Sequence, residues 1–468
     1  MKRALASTTV LLVSSLALAH GGLPVSQGIL RQNDGDQMFV PVVYWGVWVS
    51  QPNGSWKWIC EELINQNRSR KFALSTDGQF YTTDTKGLTQ SSDHGCTWTP
   101  ATGDIASLHT TDVVVDPTDG ATAFASTGDG GSVLPDGGVI TPNNGVYVTH
   151  DHGATWTALP GLAAQSARLF QSVRAARTSA LTIYATSAAQ SSPFAPTIHS
   201  SIDSGANFTS TPLTYLLDGV EPHAFELLAI DPRDSDVVWA RAVAEVPVGT
   251  SSVTRQALLR SSDGGMTWSE LYKLDATTEA SGQTRGIDGV AFDTANKRTY
   301  VSVHDAVNHV GVLAASDDGS ATVPTLGPTG NLDQAQCVDV HGGAVYACSS
   351  QFQPDFAAIA RSADNGQTFS SVLNYVDTVG PVDCPAGTPV GDLCPAYWYM
   401  YGAQLGISFD GGIPSTDDAG TMMQKSGGCG CSVGAVESAA GGLAFAGLLL
   451  ALLIRTVARS GGRARRRD

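Results

Sequence analysis

Basic residues are scarce in this sequence. Lys and Arg number 27 of 468 residues, whereas Asp and Glu number 43. Residues 20–436, which lie between the two terminal segments discussed below, hold 19 basic and 41 acidic side chains and carry a net charge of −22. An acidic surface of this size repels the phosphates of nucleic acids and of anionic membranes. We therefore exclude nucleic acid as a partner.

Motifs for metal or nucleotide chemistry are also missing. The sequence has no Cys-x-x-Cys pair, no His-Glu-x-x-His and no phosphate-binding glycine loop, which excludes the sites that these patterns build. The segment 128–138, rich in Gly and Asp, is the best candidate for a loosely held cation. Because it lacks the alternating oxygen ligands of a calcium loop, we interpret it as a turn. No metal and no cofactor are predicted.

Long helical patterns are absent between the two ends. No segment of residues 20–411 shows a long apolar period of 3.6 residues, so helices are predicted to be scarce. Short apolar runs separated by Asp-Pro or Asp-x turns recur instead, as at 113–117 followed by 121–125. Such pairs of runs are typical of β-hairpins. The sequence indicates an all-β fold.

What the sequence does contain is a repeated octapeptide, Ser/Thr-x-Asp-x-Gly-x-Thr-Trp, which occurs six times. Five copies are clear, at 91–98, 149–156, 201–208, 261–268 and 362–369. A worn copy surrounds Asp317 and Gly319, with Ala315 and Thr322 at its first and last positions. Successive aspartates stand 58, 52, 60, 54 and 47 residues apart. Self-similarity at a period of about fifty residues indicates a repeat architecture with four short strands per unit.

The octapeptide has a mechanical interpretation as a turn. Its Gly tolerates a positive φ, and Asp-x-Gly suits a tight hairpin. The hydroxyl and the carboxylate can bond backbone groups that the turn leaves unpaired, and the last ring packs as an apolar plug. We therefore predict structural roles, rather than metal-binding or catalytic ones, for Ser91, Asp93, Gly95, Trp98, Thr149, Asp151, Gly153, Trp156, Ser201, Asp203, Gly205, Phe208, Ser261, Asp263, Gly265, Trp268, Ser362, Asp364, Gly366 and Phe369.

These octapeptides resemble the Asp-box, or bacterial neuraminidase repeat, of sialidases, sortilin-type receptors and many non-catalytic β-propellers. The resemblance implies a β-propeller whose boxes lie at the blade periphery, away from the central pocket. Two further worn boxes, at 50–54 and 408–412, would allow eight blades. Seven blades are favoured, because the end pieces can combine to close one blade from both termini and so remove exposed sheet edges.

Both ends are predicted to be targeting segments. Residues 1–19 form a secretory signal peptide, in which Lys2 and Arg3 precede an apolar run and a small-residue cleavage site. The propeller is assigned to residues 20–411 and a flexible tether to 412–428. Residues 438–454 carry no charge and are long enough for a transmembrane helix, and an arginine-rich tail follows them.

Cys429 and Cys431 stand shortly before this span. A Gly/Cys motif, a hydrophobic helix and an arginine-rich terminus resemble the myxobacterial C-terminal sorting signal, here residues 429–468. The resemblance implies a membrane-bound sorting protease, cleavage near the cysteines and lipid attachment to one of them. The alternative is a plain tail-anchored span with a local disulfide between the two thiols. The protein is predicted to be exported and membrane-anchored at the cell surface of a Gram-negative-type bacterium.

The other six cysteines are predicted to form disulfides, which an exported domain can retain. A Gly-Gly turn places Cys337 opposite Cys348 in a hairpin, with the two Cα atoms roughly 5.5 Å apart. The next two cysteines enclose a loop rich in Pro and Gly, and the first two are then left to pair. The predicted set is Cys60–Cys96, Cys337–Cys348 and Cys384–Cys394.

Two functions are weighed. A sialidase-like glycoside hydrolase would need the family's three arginines on the substrate carboxylate, a Tyr nucleophile paired with a Glu, and an Asp acid/base. The family's Arg-Ile-Pro motif is missing, and the thirteen arginines of residues 20–436 cannot be assigned to a triad. Tyr399 and Tyr401 lie in a tempting region, but aromatic strand residues are usually core, so no catalytic residue is assigned. The favoured function is a non-catalytic surface propeller that binds a protein or glycan ligand across its central face.

Overall fold

The computed structural model describes residues 24–32, 35–64, 71–133, 139–140, 143–177, 181–276, 285–407 and 409. These residues form seven four-stranded sheets packed around a common axis, which is a seven-bladed β-propeller. The predictions of an all-β fold and of seven blades are confirmed.

The chain builds the blades in sequence order. Blade 1 begins with β1 (Phe39–Val42), β2 (Gly46–Ser50) and β3 (Trp56–Ile59). Blade 2 contains β4 (Phe72–Leu74), β5 (Phe80–Asp84), β6 (Gly87–Ser91) and β7 (Thr99–Pro100). Blade 3 contains β8 (Thr110–Val115), β9 (Ala123–Thr127), a separate hairpin of β10 (Ser132–Val133) and β11 (Val139–Ile140), then β12 (Val146–Thr149) and β13 (Thr157–Ala158).

The next four blades follow the same plan. Blade 4 contains β14 (Leu169–Arg177), β15 (Leu181–Ala188), β16 (Thr197–Ser201) and β17 (Thr209–Pro212). Blade 5 contains β18 (Ala224–Asp231), β19 (Asp234–Val248), β20 (Ser251–Ser261) and β21 (Ser269–Asp275). Blade 6 contains β22 (Gly286–Asp293), β23 (Arg298–Asp305), β24 (Val310–Ser316) and β25 (Gly327–Thr329). Blade 7 contains β26 (Cys337–His341), β27 (Ala344–Cys348), β28 (Ile359–Ser362) and β29 (Ser370–Leu373).

In blades 2 to 7 the first strand lies at the axis. Strands β4, β8, β14, β18, β22 and β26 contact one another in that order. Because neighbouring strands within blades 2 to 7 run antiparallel, their connections alternate between two ends of the propeller. Turns between third and fourth strands lie at the same end as hairpins between first and second strands. The opposite end, here called the loop end, carries the loops between second and third strands and the linkers to the next blade.

Blade 1 is completed from both ends of the chain. After blade 7, β30 (Thr378–Pro381) returns and pairs in parallel with β3, with Thr378 opposite Trp56. At the other edge of the blade, Ser26 and Leu30 form single bridges with β1. The end pieces therefore combine in one blade, as predicted. The worn octapeptide at 50–54 is the turn between β2 and β3, whereas most of the one at 408–412 lies outside the described residues.

One α-helix, α1 (Pro389–Gln404), follows β30. It begins at Pro389, and the side chain of Thr388 caps it by accepting the amide of Gly391 at 3.2 Å. Tyr399 and Tyr401 are therefore helical, and their interpretation as strand residues is wrong. Among the described residues, the other helical segments are 3-10 turns at Glu61–Leu63, Pro160–Gln165 and Tyr375–Asp377.

No helix within the described ranges is long and apolar enough to cross a bilayer. The predicted signal peptide, tether, transmembrane helix and sorting signal with Cys429 and Cys431 all lie outside those ranges. They stay predictions from the sequence.

The disulfides correct two of the three predicted pairs. Cys337–Cys348 forms as the hairpin register predicted, with a Cα separation of 4.9 Å. The pairs Cys60–Cys96 and Cys384–Cys394 are wrong. The structure joins Cys60 to Cys394 and Cys96 to Cys384, across 334 and 288 residues. The two wrong pairs join cysteines that are near each other in the sequence. In the structure β30 and α1 return to pack on blades 1 and 2, so cysteines far apart in the sequence become neighbours.

Candidate functional site

The five clear octapeptides form the turns between the third and fourth strands of blades 2, 3, 4, 5 and 7, and are here called rim turns. In each, the first hydroxyl donates to the Asp carboxylate at 2.6–2.9 Å. The same hydroxyl accepts the glycine amide at 2.8–3.0 Å. The carboxylate accepts the amide of the seventh residue at 2.8–2.9 Å. Each turn thus satisfies its own backbone donors.

The rim-turn glycines also join neighbouring blades. Their φ angles of 82–90° follow a fourth residue that is left-handed as well, at 58–67°. A Cβ on Gly95 would lie 2.7 Å from Ile59 of blade 1, and one on Gly265 would lie 2.6 Å from Ile198 of blade 4. The absence of a side chain therefore lets the preceding blade pack directly on the turn.

The rim-turn aspartates are ionised hydrogen-bond acceptors. Bonds from Thr155 and then Thr149 lower the pKa of Asp151 to about 2. The corresponding bonds, led by the amide of Asn207, lower the pKa of Asp203 to about 2. A general acid needs a raised pKa instead. The rim turns therefore offer structure rather than acid catalysis.

A polar cleft of about 250 Å³ lies between the rim turns of blades 2 and 3. Its walls include Gln79, Gln90, Thr99 and His152, and His152 pairs with Asp77 at 2.8 Å. Among the described residues, no group of three or more His, Cys, Asp or Glu side chains is arranged to hold a metal ion. The walls of this cleft do not bring several charged groups together. Such groups do come together near the axis.

Ionisable side chains from four consecutive blades lie near the axis. We call this set the axial cluster: Asp112 on β8, Arg174 on β14, Glu226 on β18, Arg241 on β19, Asp288 on β22 and His304 on β23.

Arg174 ties three blades together within this cluster. Its guanidinium donates to the carboxylate of Asp112 in blade 3. Through Nε it donates to the carbonyl oxygen of Leu228 in blade 5 at 3.0 Å. Asp112 is almost fully buried, whereas 22% of the Arg174 side chain remains exposed. Solvent therefore reaches the cationic member of the pair.

Arg241 makes the equivalent connection from blade 5 to blade 6. It donates to Glu226 in its own blade and to the carbonyl oxygen of Ile287 at 2.7 Å. Its Nη1 lies 3.7 Å from Oδ1 of Asp288, which in turn bonds His304. One guanidinium thus stands between two carboxylates.

Neighbouring charges favour the ionised forms of Glu226 and Arg241. Burial opposes ionisation of Glu226, but the charges of Arg241, Lys71 and Arg174 hold its pKa below the ordinary value. Burial also opposes the charge of Arg241, yet Glu226 and Asp288 raise its pKa. The side chains of Glu226 and Asp288 remain 28% and 21% exposed. The cluster can therefore offer fixed charges and hydrogen bonds to a bound molecule.

Tyr399 and Tyr401 do not lie in this cluster. Both belong to α1, and 39% of Tyr399 is exposed. Tyr401 is buried and donates to Glu62, which superficially resembles a Tyr–Glu nucleophile pair. However, burial and the charge of Glu62 raise the pKa of Tyr401. A tyrosine whose ionisation is suppressed cannot supply a phenolate near neutral pH.

No local pattern of residues predicts the axial cluster. Its six members come from six strands spread between residues 112 and 304, so no spacing links them. In the structure, Asp288 stands at a register shift between Ile287 and Gly289. Bulges re-aim side chains and are frequent beside functional sites.

No family model matches the chain, and no curated protein does. Similar solved structures include the GH74 xyloglucanase from Xanthomonas campestris, at 14% identity and a TM-score of 0.35, over 75% of this chain and 68% of that one. The β-propeller domain of Cps50 (Swd1) from Myceliophteria thermophila aligns at 8% identity and a TM-score of 0.41, over 70% and 94%. YCF48 bound to D1 peptide aligns at 12% identity and 0.41, over 69% and 90%. The likeness concerns the fold alone.

Proposed function

We propose that this protein is an Asp-box β-propeller, exported and displayed at the cell surface, that binds a protein or glycan ligand over its axis without catalysing a reaction. The observation that carries the proposal is the axial cluster. Its polar groups converge from blades 3 to 6, and all but Asp112 stay partly exposed. Despite burial, the charges of Arg241, Lys71 and Arg174 hold the pKa of Glu226 below its ordinary value. Convergent polar groups in a concave, mostly apolar setting are typical of binding sites.

The loop end also suits a macromolecular ligand. Loops between the second and third strands of blades 5, 6 and 7 expose Val248, Val307, Phe352 and Phe356 by 38–58%. Apolar anchors beside polar groups are the usual composition of a recognition surface. A ligand that covers the loop end would contact both these apolar side chains and the axial cluster.

Glycoside hydrolysis, the competing function, finds less support. A hydrolase needs one carboxylic acid that is protonated at the working pH. In the axial cluster, Arg241 stands between Glu226 and Asp288, and the pKa of Glu226 is lowered rather than raised. Arg241 therefore favours the charged form of Glu226, which is the opposite of what a general acid needs.

The ligand and the reaction are tested with one set of variants. The purified full-length chain is applied to a printed glycan array, beside Glu226→Gln and a rim-turn control, Asp364→Asn. Binding should fall at least about tenfold in Glu226→Gln, as expected for a central contact, and stay unchanged in the control. Thermal melts verify that each variant is folded.

A fluorogenic sialoside assay on the same samples tests whether the protein is a sialidase-like glycoside hydrolase. We expect no turnover by the unmodified chain. Turnover that Glu226→Gln abolishes would establish a hydrolase, and glycan binding that survives this substitution would move the site away from the axis.

Surface display is proposed from the sequence alone. Residues 1–19 would direct export, and the signal at 429–468 would recruit a sorting protease and carry lipid on Cys429 or Cys431. Intact-mass analysis of the membrane-extracted protein should show loss of the arginine-rich tail. A surface form that retains the tail through Asp468 would contradict sorting and support a plain membrane-spanning anchor.

A further inference from the structure

The last described segment is fastened to the propeller by two disulfides that differ in burial. We call residues 378–404, which comprise β30, α1 and the loop between them, the C-terminal strap. Its helix is joined to blade 1 through Cys60–Cys394, and both of these cysteines are 0% exposed. Its loop is joined to the rim turn of blade 2 through Cys96–Cys384, and both of those cysteines are partly exposed.

The contacts around the inner disulfide belong to the core. The rings of Trp398 and Tyr401 on α1 lie 5.7 and 5.2 Å from that of Trp58. Tyr401 also packs on Trp45 at 5.5 Å and donates to Glu62. This end of the strap is therefore held by buried surface as well as by a covalent bond.

The contacts around the outer disulfide lie at the surface. The amide of Val390 donates to the carbonyl oxygen of Cys96 at 3.2 Å. Lys57 pairs with Asp383, whose side chain is 90% exposed. Exposed ion pairs add at most about 1 kcal/mol. The amide of Val382 also donates to the carbonyl oxygen of Trp58 at 3.0 Å, at the start of the loop. Beyond Val382, Cys96–Cys384 is the covalent link that holds the loop between β30 and α1 to blade 2.

We propose that Cys96–Cys384 is a redox modification site, opened by a dithiol reductant while Cys60–Cys394 keeps α1 docked. Thiol–disulfide exchange requires a thiolate to reach a sulfur atom, and only the outer pair offers such access. The attacking thiolate bonds to one cysteine sulfur as the disulfide breaks, and the released thiolate takes a proton. The second thiol of the reagent, as its thiolate, then attacks the reagent's first sulfur and displaces the cysteine, which leaves as a thiolate and takes a proton; the products are two cysteine thiols and the cyclic disulfide of the reagent.

The two disulfides then control two successive steps: the outer one protects the loop from cleavage, and the inner one retains the chain that follows α1. With the outer bond open, the loop at 382–388 can be cut by a protease. The cut does not free the residues beyond it, because Cys60–Cys394 still joins α1 to blade 1. Separation of the segment after the cut requires reduction of both disulfides.

The test labels cysteines during graded reduction of the full-length chain. Free thiols are first blocked with N-ethylmaleimide, dithiothreitol is added in increasing amounts, and new thiols are trapped with iodoacetamide for peptide mass analysis. Cys96 and Cys384 should be labelled at least about tenfold faster than Cys60 and Cys394, because access controls the exchange rate. Proteinase K should then cut within 382–388, with the fragments still joined on a non-reducing gel.

Two variants distinguish a specific effect of Cys96–Cys384 from a general loss of stability. Cys96→Ser/Cys384→Ser should show the same cut without reductant, and Cys337→Ser/Cys348→Ser, which removes the hairpin disulfide of blade 7, should not. Equal labelling of the four strap cysteines, faster labelling of Cys60 and Cys394, or a loop that resists cleavage after the outer bond opens would each overturn the proposal.

Discussion

The rim turn of blade 5 and the corresponding turn of blade 6 both carry Asp-x-Gly, yet their carboxylates have different partners. In blade 5, Asp263 accepts hydrogen bonds from Ser261 and from the amide of Thr267, at 2.7 and 2.8 Å, within its own turn. In blade 6, Ala315 stands where the first hydroxyl should be. Asp317 is instead buried against neighbouring strands.

The carboxylate of Asp317 accepts the amide of Gly319 within its own turn at 2.9 Å, but its other partners belong to the second strand of its own blade and to blade 5. The hydroxyl of Thr299 donates to it at 3.0 Å, and the guanidinium of Arg260 lies 3.7 Å away. Arg260 and Asp317 are each 1% exposed. A local turn motif has thus become a buried ion pair between blades, where losing one partner costs far more than at the rim.

The residue that precedes a rim turn explains why Asp317 forms an ion pair with the neighbouring blade. Gln90 precedes the turn of blade 2 and donates to the carbonyl oxygen of Gly153 in the turn of blade 3, at 2.9 Å. Arg260 precedes the turn of blade 5 and donates to the carbonyl oxygen of Ser320 in blade 6, at 2.6 Å. Both residues reach the following turn. A charged residue there requires a carboxylate, which Asp317 supplies.

The largest expected effect follows from removing that carboxylate. Asp317→Ala leaves Arg260 buried without its counter-ion and should destabilise the protein by about 4–5 kcal/mol. Chemical denaturation measures the loss. Asp318→Ala, one residue away and exposed, is the matched control and should change stability by less than about 0.5 kcal/mol. Equal effects of the two substitutions would show that the ion pair contributes nothing.

The second effect compares the aromatic plugs of two rim turns. Trp156 is 1% exposed and packs edge-on against Tyr81 of blade 2 at 5.7 Å. Trp156→Ala should therefore cost about 3–4 kcal/mol. Trp268 is only partly buried, so Trp268→Ala should cost less. Thermal melts rank the two variants, and a larger loss for Trp268→Ala would contradict burial as the cause.

How much the sequence predicted depends on how local each feature is. The rim turns were predictable, because Ser261, Asp263 and Gly265 complete their bonds within one octapeptide. The strand-pair disulfide Cys337–Cys348 was predictable for the same reason. The partner of Cys60 was not, because it arrives 334 residues later on α1.

The helix and the axial cluster illustrate what local patterns miss. Four buried residues of α1, Val390, Cys394, Trp398 and Tyr401, do follow a helical spacing, but an internal proline and the aromatic composition obscured it. At the axis, Glu226 and Asp288 meet only because the strands close into a ring around them. Closure fixes the positions of these side chains, and no short window of sequence encodes it.

The third effect is a loss of stability at low pH, caused by a buried histidine that has no charged hydrogen-bond partner among the described residues. His199, two residues before the rim turn of blade 4, lies between the hydroxyl oxygens of Ser187 and Ser210, each at 2.8 Å. Burial, with the charge of Arg168, lowers its pKa to about 4. The folded protein therefore keeps His199 neutral at pH values where the unfolded chain, with a pKa near 6.5, binds a proton.

Stability should consequently fall as the pH drops from about 6.5 to 4, by roughly 3 kcal/mol from this residue. Melting temperatures of the unmodified protein and of His199→Gln, measured across this range, give the contribution by difference. The variant should show a flatter profile. Parallel profiles would mean that other groups control the acid response.

The smallest expected effect returns to the rim turn of blade 5. Asp263→Ala removes an acceptor from Ser261 and Thr267, but solvent can replace it at this exposed turn, so the cost should be about 1 kcal/mol. Ser262→Ala, at the neighbouring turn position, is the control.

The pH dependence of Asp263→Ala identifies the mechanism. Burial opposes ionisation of Asp263, yet the bonds from Thr267 and Ser261 hold its pKa below the ordinary value. Its contribution should therefore be complete above pH 4 and shrink as the pH falls through the folded pKa. The unmodified protein and Asp263→Ala should then converge in melting temperature on acidification. A difference that stays constant with pH would mean that the charge of Asp263 contributes nothing, and a loss as large as that for Asp317→Ala would mean that the two turns are alike.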